Sequence, residues 1–220
     1  KEAIRTLLGA NASGSDNVLV VEERLDGPEV SVIALVDGAT VRAFPSARDH
    51  KRVGHGDTGP NTGGMGAFSP VPDITPEMEA RIVRDILEPV AREMKRRGTP
   101  FIGFLYAGLM MTADGPKVLE FNARMGDPEC QPLLTRFRGD LAKVLHLAAT
   151  RRLSEAQFDF DPKPAVCVVL ASAGYPAKYE SGLPIAGVAK ANTRDGVFVY
   201  QAGTAEKDGA LVTAGGRVLG

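Results

Sequence analysis

Apolar, β-branched runs in this chain are separated by Asp-Gly pairs, and that punctuation limits the fold before anything else does. "VLVVEERL" (18–25), "EVSVIALV" (29–36) and "TVRAFPSA" (40–47) follow one another, parted at Asp26-Gly27 and Asp37-Gly38. Asp-Gly between strands is a strong hairpin signal, because both turn residues tolerate positive φ. Two later runs, "FIGFLYAGLMM" (101–111) and "KVLEFNAR" (117–124), are joined by the equally short "TADGP". Connections this brief make antiparallel neighbours, since a parallel crossover needs a dozen residues or more.

Helices fill the gaps. From Pro76 to Arg97 the residues Met78, Ile82, Ile86, Val90 and Met94 step by four, with Thr75 as N-cap and Gly98 as the stop. Pro89 falls inside that pattern and predicts a kink or break near Leu87, because an interior proline costs ~3 kcal/mol. A helical end is expected over Lys1–Leu8, and further helices over 128–137 and 140–152. Beyond residue 164 the runs "AVCVVLASAGYP", "IAGVAKA", "VFVYQAG" and "ALVTAGG" read as short strands between Asp-Gly or Gly-Gly turns. The expected class is α+β: an antiparallel sheet with packed helices, then a small β-rich C-terminal domain.

Composition excludes several functions. A formal net charge of −1 over 220 residues argues against a nucleic-acid binder working through a basic surface. No apolar run approaches the ~20 residues that span a bilayer, so no membrane partner is expected. Cys130 and Cys167 lie far apart and read as free thiols of a reducing compartment, the cytoplasm. His55 and His146 stand alone and read as bystanders. There is no zinc spacing and no G-x-S-x-G elbow.

Three stretches carry chemistry. In "KVLEFNAR", alternation puts Glu120 and Asn122 on one strand face, with Leu119 and Phe121 burying the other. A carboxylate beside a carboxamide oxygen suits Mg²⁺. Arg124, next on that face, can reach phosphate. The same two residues also fit a plain solvated strand face. In "VVEERLDGPEVS", the glutamates are either solvated or form a nucleotide hinge: backbone of Glu22, Glu23 and Leu25 on an adenine edge, Glu29 on ribose hydroxyls. The glycine-rich "DHKRVGHGDTGPNTGGMGAF" (49–68) offers backbone N–H groups to phosphate, and His50, Lys51 and Arg52 add cationic donors. It matches neither a P-loop nor a dinucleotide fingerprint.

Taken in order, the hinge, the loop "DHKRVGHGDTGPNTGGMGAFSP" and the strand "YAGLMMTADGPKVLEFNARMGDPECQ" closely resemble the phosphoribosylamine–glycine ligases of the ATP-grasp superfamily. The resemblance runs from Val18 to Gly220. It implies an ATP-grasp large subdomain and a carbon–nitrogen ligase of purine biosynthesis. ATP, glycine and 5-phosphoribosylamine would give glycinamide ribonucleotide, ADP and phosphate through glycyl phosphate. On that resemblance Glu120 and Asn122 hold Mg²⁺ (or Mn²⁺) against ATP, while Arg124 and Lys51 contact transferred phosphate or acyl phosphate. Asp49, His50, Arg52, Pro60, Asn61, Thr62, Gly63, Gly64 and Asp127 shape the glycine and phosphoribosylamine pocket.

The resemblance also implies more chain than is present. Residues 1–153 correspond to the ATP-grasp portion, with 1–17 a remnant of its small subdomain, and 154–220 to part of a C-terminal domain. The missing remainder of the enzyme is then an expected partner. The alternative expectation, from another functional class, is a non-catalytic nucleotide-binding or regulatory module derived from such a ligase.

Overall fold

The computed structural model describes residues 20–220. The helix expected over Lys1–Leu8 and the first two residues of the run beginning at Val18 lie outside that range. The centre is a four-stranded antiparallel sheet built on β1 (Glu29–Asp37). A hairpin joins β1 to β2 (Val41–Ala43), pairing Val36 with Val41 as the Asp37-Gly38 signal predicts. Gly38 takes φ +90°, a value that favours glycine. The buried Asp37 carboxylate accepts from the N–H groups of Ala39 (3.1 Å) and Thr40 (2.7 Å) through one oxygen, and from Leu153 N–H (2.9 Å) through the other. Burial disfavours this charge, but the three backbone donors outweigh it and hold the carboxyl below its usual range.

Chain order continues with β3 (Arg48–Asp49), β4 (Arg52–Gly54), β5 (Thr58–Asn61) and β6 (Gly66–Ser69). Helix α1 (Pro76–Ile82) starts at Thr75, whose side chain accepts from Met78 N–H. A π-turn over Val83–Leu87 leads into α2 (Glu88–Arg96). The π-turn is the expected disruption at Pro89, with one wide turn absorbing the missing N–H and the ring's bulk without breaking the helix. β7 (Ile102–Thr112) then pairs with β1 along all nine of its residues, and β8 (Gly115–Asn122) pairs with β7 at the open edge.

Alternation along β1 sends Val30, Val32, Ala34 and Val36 to one face, where Ile82, Leu87 and Ala91 cover them. Ile33 and Leu35 point to the other, against Tyr106, Leu133 of α3 (Cys130–Arg136), and Val144 and Leu147 of α4 (Leu141–Ala149). Phe44, Phe137, Phe158 and Phe160 close that second core with edge-on contacts, such as 4.9 Å between the Phe44 and Phe158 centroids. The tail enters through Ala165–Val168, which pairs with β6 in a three-stranded sheet completed by β3.

Several expectations fail. Residues 20–25 form no strand and Asp26-Gly27 no hairpin; Val20 and Val21 are exposed. Gly27 instead lies where an added Cβ would come within 2.1 Å of the Met111 carbonyl, so it permits a close pass over β7. "IAGVAKA" makes a short helix, Val188–Ala191, opened by left-handed Gly187, and Val197–Gly203 contributes one isolated bridge. Burial, and not local β-propensity, decides such short runs. No described helix is long and apolar enough to cross a membrane.

Because Asp37 holds three backbone donors in a buried turn, Asp37→Ala should lower unfolding free energy by about 2–4 kcal/mol in urea titrations. A loss below about 0.5 kcal/mol would show that the turn does not depend on this carboxylate.

Candidate active site

The β8 edge carries the first part of the site. A bulge between Gly108 and Leu109 leaves Leu119 without a cross-strand partner, and beyond it Glu120 pairs with Gly108 and Asn122 with Tyr106. Glu120 and Asn122 therefore share the face of Tyr106, as alternation predicts. A Cβ on Gly108 would sit 3.2 Å from Glu120 Cγ, so glycine lets this carboxylate lie against the strand. The expectation that Leu119 and Phe121 are buried is wrong: they are 38% and 42% exposed. In the central sheet β8 has a neighbour on one side only, so these residues stay partly open.

Upstream on the same strand, Lys117, Val118 and Leu119 line an open pocket of about 260 Å³ with Glu22, Glu23 and Leu25. Lys117 Nζ donates to Glu23 Oε2 at 3.3 Å. The hinge residues stand outside any strand ladder, which leaves their backbone groups available to a ligand. An apolar flank with backbone donors and acceptors suits a flat heterocycle.

A second cleft, about 90 Å³, is lined by Asp49, Lys51, Thr62, Gly63, Tyr106, Glu120, Arg124, Gly126, Asp127 and Glu129. It gathers seven of the expected residues: Asp49, Lys51, Thr62, Gly63, Glu120, Arg124 and Asp127. Glu29 is not in its lining; its Oε2 accepts from Lys51 Nζ at 2.6 Å. Burial opposes the Lys51 charge, but this hydrogen bond and the nearby Asp49, Glu29 and Glu120 carboxylates raise its pKa above the usual lysine value. Asp49, with a side chain only 7% exposed, has Lys51 Nζ at 3.9 Å. Burial, then the charges of Glu129 and Glu29, push the Asp49 carboxyl up to about 6 against the opposing pull of Lys51.

The rest of the glycine-rich segment differs from the open phosphate loop that composition suggests. β4 and β5 pair as an antiparallel hairpin across residues 52–61. Arg52 donates to the Gly59 carbonyl within that hairpin at 2.7 Å, and Pro60 and Asn61 are exposed on it, all three outside the cleft lining. His50 packs its ring on Phe68, centroids 5.9 Å apart. Hydrogen bonds repay part of the ordering of this glycine-rich chain: Thr62 N–H and Oγ1 both donate to the Lys51 carbonyl, and Met65 N–H to that of His50. Gly64, at φ +114°, has Pro128 Cδ where a Cβ would stand, at 2.4 Å.

Four functional candidates were missed. Ser31 Oγ (2.8 Å) and Tyr106 OH (3.1 Å) both donate to Glu129 Oε1, a buried network below the cleft. Burial and then the Glu129 charge push the Tyr106 phenol above its usual range. Arg217, from the tail, donates to Asp127 Oδ2 (2.7 Å) and to the Gly63 carbonyl (2.6 Å), clamping the cleft rim. Glu129 lies in the "GDPE" run and had a local signal. Ser31, Tyr106 and Arg217 meet their partners 23 to 154 residues away in sequence, where no local pattern reports them.

Among the described residues no group of three or more His, Cys, Asp or Glu is arranged to hold a metal. Glu120 with Asn122 still fits a hard cation that takes one or two protein oxygens and completes its shell with water and phosphate.

The chain matches two protein families in succession. Residues 1–130 match the phosphoribosylglycinamide synthetase ATP-grasp (A) domain, and residues 165–220 the C domain of the same synthetase. A phosphoribosylamine–glycine ligase of Rhodopirellula baltica is 55% identical over 203 residues, covering 92% of this chain and 46% of that protein. One from Vibrio vulnificus is 47% identical over 221 residues, 100% of this chain and 51% of its own length. The crystal structure of phosphoribosylamine–glycine ligase from Thermotoga maritima superposes with a TM-score of 0.81 at 34% identity, over 99% of this chain and 53% of that one. The chain thus spans about half the length of the curated relatives it matches. With the ATP-grasp α+β architecture in place and the match extending over most of the sequence, the chain belongs to the phosphoribosylglycinamide synthetase family.

Proposed function

We propose that this chain carries the nucleotide and acceptor sites of a phosphoribosylamine–glycine ligase: ATP, glycine and 5-phosphoribosylamine give glycinamide ribonucleotide, ADP and phosphate. The observation that carries the reading is the placement of both pockets on one strand. Lys117 to Leu119 line the hinge pocket, and Glu120, the next residue, lines the charged cleft. At ~3.3 Å per residue, Val118 and Asn122 stand ~13 Å apart along β8, which leaves room for a ribose and phosphate chain between base and metal pair.

The base lies against Val118 and Leu119 with its edge on Glu22, Glu23 and Leu25. Glutamate 29 takes the ribose hydroxyls. In the structure that carboxylate is held by Lys51, but both partners are partly exposed, and such pairs contribute ~0–1 kcal/mol. Ribose can therefore displace Lys51, which turns to the transferred phosphate. Glu120 and Asn122 would hold Mg²⁺ or Mn²⁺, which neutralises phosphate charge when bound. Glycine's carboxylate attacks the γ-phosphorus and ADP leaves; the phosphoribosylamine nitrogen then attacks the glycyl carbonyl and loses a proton, and the acyl carbon–oxygen bond breaks so that the bridging oxygen departs with phosphate. Lys51 and Arg124 stabilise the charge that develops, and the protein's work is positioning and electrostatics. His50, Arg52, Pro60, Asn61 and Gly64 then act at most from around the cleft. We take residues 1–153 and 154–220 as the two parts of the chain, and the reducing cytoplasm as its compartment, in keeping with free Cys130 and Cys167.

Calorimetric titration with a non-hydrolysable ATP analogue should show Mg²⁺-dependent binding, weakened at least tenfold, about 1.4 kcal/mol, in the Glu120→Ala, Asn122→Ala double variant. Equal binding by that variant would remove the metal assignment, and no binding by the folded parent would remove the nucleotide reading.

Asp49 gives a pH test. Its raised pKa means that the folded state binds this proton more tightly than the unfolded chain, so ionising it costs stability as pH rises from about 4 to 6. Asp49→Asn should therefore stabilise the chain above pH 6 by about 1–3 kcal/mol and leave it nearly unchanged below pH 4. Urea unfolding at the two pH values reads the difference, and a gain of the same size at both would refute it.

A further inference from the structure

Two side chains of the tail grip one peptide of the glycine-rich segment from both ends. Gly63 N–H donates to the Tyr175 hydroxyl at 3.1 Å, and the Gly63 carbonyl accepts from Arg217 Nη1 at 2.6 Å. Arg217 also reaches the turn before α3, donating to the Asp127 carbonyl at 3.3 Å and, through Nη2, to Asp127 Oδ2 at 2.7 Å. A Cβ on Gly63 would stand 2.8 Å from Arg217 Cζ, although its φ lies outside the positive range. Glycine at this position therefore serves the approach of Arg217 and not the backbone. The grip is itself held in place. The Tyr175 ring lies on Gly216 with no room for a Cβ between them, Ser172 N–H donates to the Gly216 carbonyl, and Gly203 N–H donates to that of Arg217.

Stability alone gives no reason for this arrangement. The Asp127 carboxylate in the pair is 59% exposed, and ion pairs this open add little to folding. What the contacts set is a position. Gly63 and Asp127 line the charged cleft, whereas Tyr175 and Arg217 line, together with Asp127, a neighbouring cavity of about 290 Å³. The gripped segment lies along the strand end that carries Asp49: Thr62 N–H and Oγ1 bind the Lys51 carbonyl, and Met65 N–H that of His50. Arginine suits the task because its planar fork meets a carbonyl and a carboxylate at once, which a lysine ammonium cannot copy. We propose that Tyr175 and Arg217 are positioning residues of the charged cleft: acting only through Gly63 and Asp127, they hold its rim against Asp49 and set its width. The proposal rests on the ligase reading above for the cleft's use, and extends the machinery to two residues that touch no ligand there. A rim held to a fraction of an ångström matters, because a misplacement of ~1 Å can cost a positioned reaction about a hundredfold.

The test uses variants of the full chain: Tyr175→Phe, its combination with the charge-conserving Arg217→Lys, and Gly63→Ala, which keeps both tail residues but crowds Arg217 away. Carbon-detected NMR follows the Asp49 carboxyl, assigned by its absence in Asp49→Asn. Burial is the first cause of its midpoint near pH 6, so a loosened rim that admits water should lower that midpoint. The double variant and Gly63→Ala should each bring it down by at least about half a pH unit, roughly threefold in proton affinity. Amide exchange at Gly63 should quicken about tenfold in Tyr175→Phe, and the Mg²⁺-loaded ATP analogue should bind within about twofold of the parent. Faster exchange with an unmoved midpoint would make the grip a mere tether of the tail and overturn the proposal. A midpoint that rises, or analogue binding that weakens in step with its fall, would overturn it as well. Should the double variant fail to fold by circular dichroism, Gly63→Ala carries the same comparison. No analogue binding by the parent would sink the ligase reading, while the positioning role would still stand or fall on Asp49 and Gly63.

Discussion

Every residue of β1 from Val30 to Asp37 is buried, and the architecture follows from that one condition. A strand buried on both faces forces its sheet to be covered on both, which is uncommon for antiparallel sheets. α1, the π-turn and α2 cover one side; α3, α4 and the phenylalanine cluster cover the other. β7 and β2 complete the ladder. Of the two edge strands of this sheet, β2 and β8, β8 is the more exposed, and both candidate ligand pockets open along it. The site lies where the demand for burial ends.

The same condition explains the polar network beneath the cleft. Ser31, like Asp37 at the strand's far end, is a buried polar residue on β1's second face, and Tyr106 stands one pair along on β7. Their hydroxyls must be satisfied, and Glu129 satisfies them through one oxygen. That bond anchors the "GDPE" turn against the sheet and so fixes Gly126 and Asp127 at the rim. A buried carboxylate is here a structural tie at the floor of the cleft.

Much of the fold was legible because its signals were local and agreed with burial. Thr75 caps α1, Asp37-Gly38 makes a hairpin, and Pro89 disturbs the helix a few residues ahead of itself. The residues 20–25 and 197–203 misled because β-propensity without a neighbouring strand does not make a strand. The glycine-rich segment misled differently: Arg52–Asn61 spends much of its freedom on a hairpin, and the residues that reach the cleft, Asp49, Lys51, Thr62 and Gly63, flank it. At the candidate site, Glu120 and Asn122 were legible as an alternating strand, but the bulge at Leu119 was not, and Arg124 lies in a bend beyond the strand's end at Asn122 instead of next on its face. Tyr106, Ser31 and Arg217 were not legible, since their roles exist only once distant segments meet.

Arg217 adds a consequence for how the molecule is made. Its guanidinium closes contacts with Gly63 and Asp127 across sequence separations of 154 and 90 residues. Contacts of that range carry the largest loop-closure entropy and form late in folding. During synthesis the sheet, both cores and the hinge can assemble while the tail is still being translated, but the rim of the cleft cannot. A nascent chain would therefore form the open pocket beside Lys117–Leu119 first and complete the rim of the charged cleft last.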